Sequence, residues 1–268
     1  MLKDITLGQY FPGNSVIHRL DPRTKLVMLV VYIVALFLAG GPASYGLMLV
    51  LLLTCICISR IPGKAFLRGM KPLVFILLFT GILNLLFTQG ERVLVSFWVI
   101  TITLEGVVRS IYMMARILML IAGTFLLTYT TSPIALTDGL ESLLNPLKKI
   151  KVPVHELAMM MCIALRFIPT LIEETDKIMS AQKARGADFE TGKLMDRVKA
   201  LVPILVPLFI SAFRRADELA TAMECRCYHG GDGRTKMKLL RYKRRDFCAY
   251  CIGLLVLAAV ILLTRFGL

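Results

Sequence analysis

Carboxylates are scarce in this chain: 18 Asp and Glu stand against 32 Lys and Arg, a formal net charge of +14. Such an excess fits either a nucleic-acid partner or loops that lie against anionic lipid. The apolar content decides for the membrane. Of the 268 residues 57% are hydrophobic, against about 45–50% in soluble domains, and the excess lies in long runs. No cleavable signal peptide stands out, because the first apolar run begins near Leu26 and further runs follow. None of the seven cysteines falls in a segment read as external, which argues against a disulfide framework. Nucleotide-binding order is missing too. Gly230-Gly231-Asp232-Gly233-Arg234-Thr235 has glycines but not the Walker A lysine, so it reads as a turn, and the chain has no nucleotide site of its own. His155-Glu156 lacks the second histidine of a zinc-protease motif and reads as a helix first turn, where Glu156 meets the positive end of the dipole.

What is present is a set of bilayer-length runs. About 20 mainly apolar residues cross about 30 Å of hydrocarbon. Five stretches fit: Leu26–Ala39, Ala43–Ser59, Leu73–Thr88, Val107–Tyr129 and Phe247–Leu263. The first is short, and Thr24 and Lys25 before it are expected in the headgroup layer. Asp21-Pro22 reads as a helix start, Asp as N-cap and Pro at the first helical position. Lys and Arg crowd the N-terminal arm, the Arg60–Lys71 turn, Lys148–Lys151 and Arg241–Arg245. Gly40-Gly41-Pro42 has none, and Gln89–Glu105 has only Arg92. The asymmetry puts the N-terminus in the cytoplasm and the C-terminus outside. The external segment Val93–Thr103 is rich in Val, Ile and Thr and reads as a short hairpin, with Trp98 at the interface.

The middle of the chain is different. Val154–Pro169 is apolar but carries His155, Glu156 and Arg166, and Glu173, Glu174, Asp176 and Lys177 follow. Each charge at a bilayer centre costs about 2.5–3.5 kcal/mol, and four on the order of 10 kcal/mol if additive, so this stretch is read as not crossing. Ala200–Phe213 contains Pro203 and Pro207 and ends at Arg214-Arg215, which fits a buried or interfacial helix. Val154–Gly186 as one helix is about 50 Å long, with a kink expected at Pro169. At an offset of 41 residues Asp176 matches Asp217, Ile178 matches Leu219, Ala181 matches Ala222 and Arg185 matches Arg226. Two long helices thus end in similar tips, Ala184-Arg185-Gly186 and Cys225-Arg226-Cys227. A single tip of this kind is an ordinary helix ending, with Arg complementing the dipole and Gly at C′. Two at matched spacing point to docking, for which a guanidinium offers a rigid fork of donors.

Other features carry less. Cys225, Cys227, His229, Cys248 and Cys251 can be combined into a zinc site on paper, but the spacing is wrong for a finger, and buried, inert thiols are the simpler expectation. Arg109 and Arg116 share one face of the fourth span. Arg109 has Glu105 four residues back as a candidate partner, whereas Arg116 lies deeper and must face protein or water. Spans one to three hold no carboxylate, and Asn84 is the most polar side chain at depth, which disfavours an ion-coupled carrier.

The two tips, Leu165-Arg166-Phe167-Ile168-Pro169, Phe213-Arg214-Arg215-Ala216-Asp217-Glu218-Leu219, His18–Lys25 and Thr131-Ser132-Pro133 together resemble the T component of energy-coupling factor (ECF) transporters, over nearly the whole chain. The second tip departs from that family's Ala-Arg-Gly in being Cys-Arg-Cys. The resemblance implies a non-catalytic scaffold of a bacterial cell membrane. It would hold two ABC ATPase subunits through Arg185 and Arg226, leave ATP and Mg to them and need no cofactor of its own. It would also contact a substrate-binding S component for vitamin uptake. The Met-rich run Met159, Met160, Met161 is a candidate S-component contact, since Met surfaces adapt to several partners; core packing is an equally plausible use. The expected fold is all-α: residues 1–131 an N-terminal arm with four spans, 132–242 cytoplasmic coupling helices, 243–268 a last span. Membrane lipids are expected partners and nucleic acid is not. A stand-alone carrier or channel, an intramembrane enzyme and half of a conventional ABC permease are the competing classes.

Overall fold

The computed structural model describes residues 10–88, 93–97, 100–187, 189, 194–231 and 239–266. Local signals set most element ends. Asp21 caps α1 (Pro22–Leu38), its Oδ1 accepting the Arg23 N–H at 3.0 Å, with Pro22 at the first position. Gly40-Gly41 breaks the chain and Pro42 opens α2 (Pro42–Ser59), where Ser44 Oγ accepts the Gly41 N–H at 3.1 Å. α3 (Gly63–Met70) and α4 (Val74–Phe87) are joined by one 3₁₀ turn at Lys71–Leu73. β1 (Val93–Phe97) and β2 (Ile100–Thr103) form the expected antiparallel hairpin; Trp98 lies outside the described residues. Thr103 then caps α5 (Leu104–Thr130) through the Gly106 N–H. α6 (Pro133–Leu144), α7 (Val154–Ala184), α8 (Leu194–Glu224) and α9 (Arg244–Arg265) complete the chain, an all-α polytopic membrane fold carrying one small hairpin.

Among the described residues five segments are long and apolar enough to cross a membrane: Pro42–Ser59, Gly63–Phe87, Leu104–Thr130, Val154–Ala184 and Arg244–Arg265. The number matches the expectation, but the membership differs in one place. α1 has only 17 residues, about 26 Å of helix. α7 qualifies by length and composition, against the expectation that this stretch does not cross. The reason is local: from Val154 to Ile172 its only acidic or basic residues, histidine aside, are Glu156 and Arg166, and the acidic cluster lies beyond. α7 runs as one helix through Pro169, and α8 through Pro203 and Pro207.

The chain divides into two compact units. In one, Gly8–Gly139 with Leu240–Leu268, α1 packs on α5 and α9, α2 on α5 and α9, and α4 on α5. Ala35, Leu36, Met48, Leu52, Met119, Ala122 and Val260 form its core. Gly123 lets α5 meet α1 closely: a Cβ there would sit 2.7 Å from the Tyr32 ring. Outward-facing Phe75, Phe79 and Leu255 remain exposed, as lipid-facing side chains do. In the other unit, containing Leu140–Leu239, α7 packs on α8.

Candidate functional site

The two tips have the same backbone. At the end of α7, Gly186 takes φ +89°, its N–H donates to the Lys183 carbonyl at 3.0 Å, and the Ala187 N–H donates to the Gln182 carbonyl at 3.0 Å. At the end of α8, Cys227 takes φ +56°, its N–H donates to the Glu224 carbonyl at 2.9 Å, and the Tyr228 N–H donates to the Met223 carbonyl at 3.0 Å. Each is a Schellman cap, and every donor and acceptor pair is shifted by 41 residues. Arg185 and Arg226 occupy the same position, immediately before the left-handed residue. The Cys-Arg-Cys departure therefore leaves the helix ending unchanged: Cys227 accepts the conformation that Gly186 takes freely, at a cost of roughly 1–2 kcal/mol. Ala184, Arg185, Gly186, Cys225, Arg226 and Cys227 are all exposed. Two guanidiniums, each on a rigid rod and in the open, can enter acidic or carbonyl-lined grooves of a partner.

The repeat continues inward. Arg215 Nη2 donates to Glu174 Oε2 at 2.8 Å, and Ser211 Oγ donates to the other carboxylate oxygen. Residues 174 and 215 are again 41 apart, and each lies 11 residues before its tip arginine. The two helices thus meet at equivalent positions, with tips about 16 Å beyond on each arm. Opposite charges at matched positions let α7 and α8 pair with each other while two copies of either would repel. Arg215 Nε is buried without a partner among the described residues. Gln182 adds a longer contact, Nε2 to the Pro203 carbonyl at 3.4 Å. The sequence-based expectations do not pair Glu174 with Arg215, though the offset that relates the two tips also relates these two positions.

Other expected residues fall out differently. Met160 and Met161 are exposed and Met159 is half-buried, so the first two are not used in this chain's own core. The thiols of Cys225, Cys227, Cys248 and Cys251 are exposed rather than buried, because they lie on faces of tip and helix that no other element among the described residues covers. No group of three metal-ligating side chains occurs among the described residues. His155 does sit in the first turn of α7, but its Nδ1 also meets Glu141 Oε1 at 3.0 Å. Of the glycine-rich turn, Asp232–Thr235 lie outside the described residues.

In the helical unit around α1, the structure joins motifs that the sequence keeps apart. Lys25 turns inward and is 8% exposed. Its Nζ donates to the Thr130 carbonyl at 2.8 Å, to Thr131 Oγ1 at 3.1 Å and to the His18 carbonyl at 3.3 Å. Asp246, 2% exposed, accepts the Asp21 N–H at 2.8 Å and the Lys243 N–H at 2.7 Å. Arg23 stacks over the Tyr242 ring, 4.2 Å from its centroid. The segments 18–25, 130–131 and 242–246 are one polar knot, in which the His18–Lys25 motif meets the start of Thr131-Ser132-Pro133 through Lys25 and Thr131. Before α1, His18 Nε2 donates to the Phe11 carbonyl at 3.0 Å while Nδ1 accepts from Ser15 Oγ at 2.7 Å. Burial holds the imidazole pKa below its ordinary value, and the Lys25 charge pushes the same way against the Phe11 hydrogen bond.

The family model for CbiQ, cobalt transport protein, matches residues 13–237. The energy-coupling factor transporter transmembrane protein EcfT of Acidaminococcus fermentans is 54% identical over 270 residues, covering 100% of this chain and 99% of the relative. EcfT of Ruminiclostridium cellulolyticum is 53% identical, covering 98% of each chain. EcfT of Bacillus subtilis is 48% identical, covering 99% of this chain and 100% of the relative.

Proposed function

The chain belongs to the CbiQ cobalt transport protein family, as the transmembrane component of an energy-coupling factor transporter, and from that premise we propose that it couples two ABC ATPases to vitamin uptake through an S component. The observation that carries this is the pair of exposed arginines on identical caps 41 residues apart. One docking motif repeated on two rods suits two related partners. ATP and Mg would be held by the partners, and this chain would do no covalent chemistry. When the ATPase pair closes on ATP, the grooves holding Arg185 and Arg226 approach. α7 and α8 then turn about the Glu174–Arg215 contact and pass the movement to the membrane face. Only contacts that differ between the open and closed states transmit such work. Exposed Met160 and Met161 supply an adaptable surface for S components of different sequence. The Lys and Arg asymmetry supports a cytoplasmic N-terminus and coupling module and an external C-terminus, so α7 acts beneath the bilayer despite its apolar first half.

The test is affinity purification from the native membrane in mild detergent, with mass spectrometry of what is retained. Wild type is expected to bring down two ABC ATPases and small membrane proteins, and Arg185→Glu and Arg226→Glu each to weaken ATPase retention. A wild type that comes down alone at full yield removes the scaffold reading and puts a stand-alone carrier first.

A further inference from the structure

A cavity of about 530 Å³ lies where the α1–α2 turn meets α4 and α5, with Ala39, Tyr45, Asn84, Arg109, Tyr112 and Arg116 in its lining. Arg116 is half-buried and all its recorded partners are neutral. Nε donates to Tyr45 Oη at 2.9 Å, Nη2 donates to the Ala39 carbonyl at 3.3 Å, and the guanidinium lies over the Phe37 and Tyr45 rings at 5.5 and 5.7 Å. A guanidinium has five N–H donors, so these contacts leave capacity unused. Arg109 is exposed, seven residues earlier on the same face of α5, or about 10 Å along the helix. It makes no hydrogen bond or ion pair with the described residues. The lining holds one carboxylate, Glu105, against two arginines, and is net cationic.

Two further facts narrow the ligand. Although Arg116 springs from the middle of α5, its head reaches the carbonyl of Ala39, the C-cap of α1 beside the Gly40-Gly41 turn, where the apolar run of the sequence ends. Leu104, Val108 and Met113, which also line the cavity, are 41%, 42% and 38% exposed. A cationic head at the edge of the hydrocarbon, flanked by open apolar side chains, matches a phosphodiester that carries acyl chains. It does not match a fully hydrated anion. We propose that this cavity binds an anionic phospholipid, its phosphate held between Arg109 and Arg116 and one acyl chain along Val108 and Met113. The guanidinium fork matches phosphate oxygens, and the bound anion relieves the cost of a charge at this depth. This site lies in the membrane unit and is independent of the coupling reading.

The experiment titrates the purified full-length chain, in an uncharged detergent, with phosphatidylglycerol, phosphatidylcholine or inorganic phosphate and follows thermal unfolding. Phosphatidylglycerol is expected to raise Tm, while phosphatidylcholine and inorganic phosphate leave it in place. Arg109→Gln, at an exposed position, is expected to weaken the apparent Kd for phosphatidylglycerol about tenfold, and Arg68→Gln on α3 to leave it unchanged. Arg116→Gln should behave like Arg109→Gln; if it fails to fold, Arg109→Gln decides alone. An equal response to inorganic phosphate would assign the site to a free anion, and an equal response to phosphatidylcholine to apolar filling. Either result overturns the proposal, as does a phosphatidylglycerol response that is absent in wild type or unchanged in Arg109→Gln.

Discussion

The ends of α7 and α8 carry different residues on one backbone. At the first tip, glycine follows the arginine; at the second, cysteine adopts the same left-handed conformation and the same two hydrogen bonds close the cap. What repeats in this unit is therefore a geometry that presents an arginine, and the residue behind it is free to drift if it tolerates φ > 0. The crossing shows the opposite rule. At positions 174 and 215 the two helices are equivalent in place but opposite in charge, and there they contact each other.

Equivalence of the tips is broken most sharply by charge reversal. Arg185→Glu and Arg226→Glu are each expected to lower ATPase retention at least about tenfold, the loss of one charge-assisted anchor, and by similar factors. A loss at one tip only would make the helices functionally unequal despite their shared cap. Reversing the crossing comes next. Glu174→Arg or Arg215→Glu should each cost on the order of 1 kcal/mol of helix–helix association, with ATP-driven uptake reduced. The double swap should restore most of it, and a double mutant as poor as the sum of the singles would deny that the pair acts as a unit.

The caps should respond with opposite signs. Gly186→Ala is expected to destabilise its cap by about 1 kcal/mol, and Cys227→Gly to stabilise its own by up to about 1 kcal/mol. Hydrogen exchange at the Ala187 and Tyr228 amides reads each cap separately, and the second tip alone should be labelled by a maleimide, at Cys225 and Cys227. The smallest effect belongs to the arm before α1. Its His18 has a folded pKa below 6.5, so the folded arm favours the neutral ring. That stabilisation is present above 6.5 and is lost as pH falls through it. The protection factor at the Phe11 amide, which donates to the Tyr129 carbonyl at 3.0 Å, should fall as pH drops below the ordinary histidine range, once the intrinsic slowing of exchange is divided out. His18→Gln should flatten that response.

Much of this was legible beforehand because it is local. Asp21-Pro22 and Gly40-Gly41-Pro42 punctuate helices through backbone chemistry within a few residues. The Val93–Thr103 hairpin follows from β-branched composition, and the spacing of 41 that relates the tips is visible in the chain itself. The membership of the apolar set was harder. Composition measures how greasy a helix is and not whether lipid or protein covers it, so α1 and α7 exchanged places in the list of membrane-length helices.

Sequence by itself determined most of the helices, the Asp21 cap and the two presented arginines, since each depends on neighbours a turn or two away. Tertiary structure alone decided that Lys25 is held by Thr130 and Thr131, that Asp246 receives the Asp21 amide 225 residues away, that Tyr45 and Ala39 receive Arg116, and that Glu174 meets Arg215. These are pairings across distant segments. A charged side chain in an apolar fold must find some polar partner, but which one depends on how the helices pack, and helical periodicity carries no record of that.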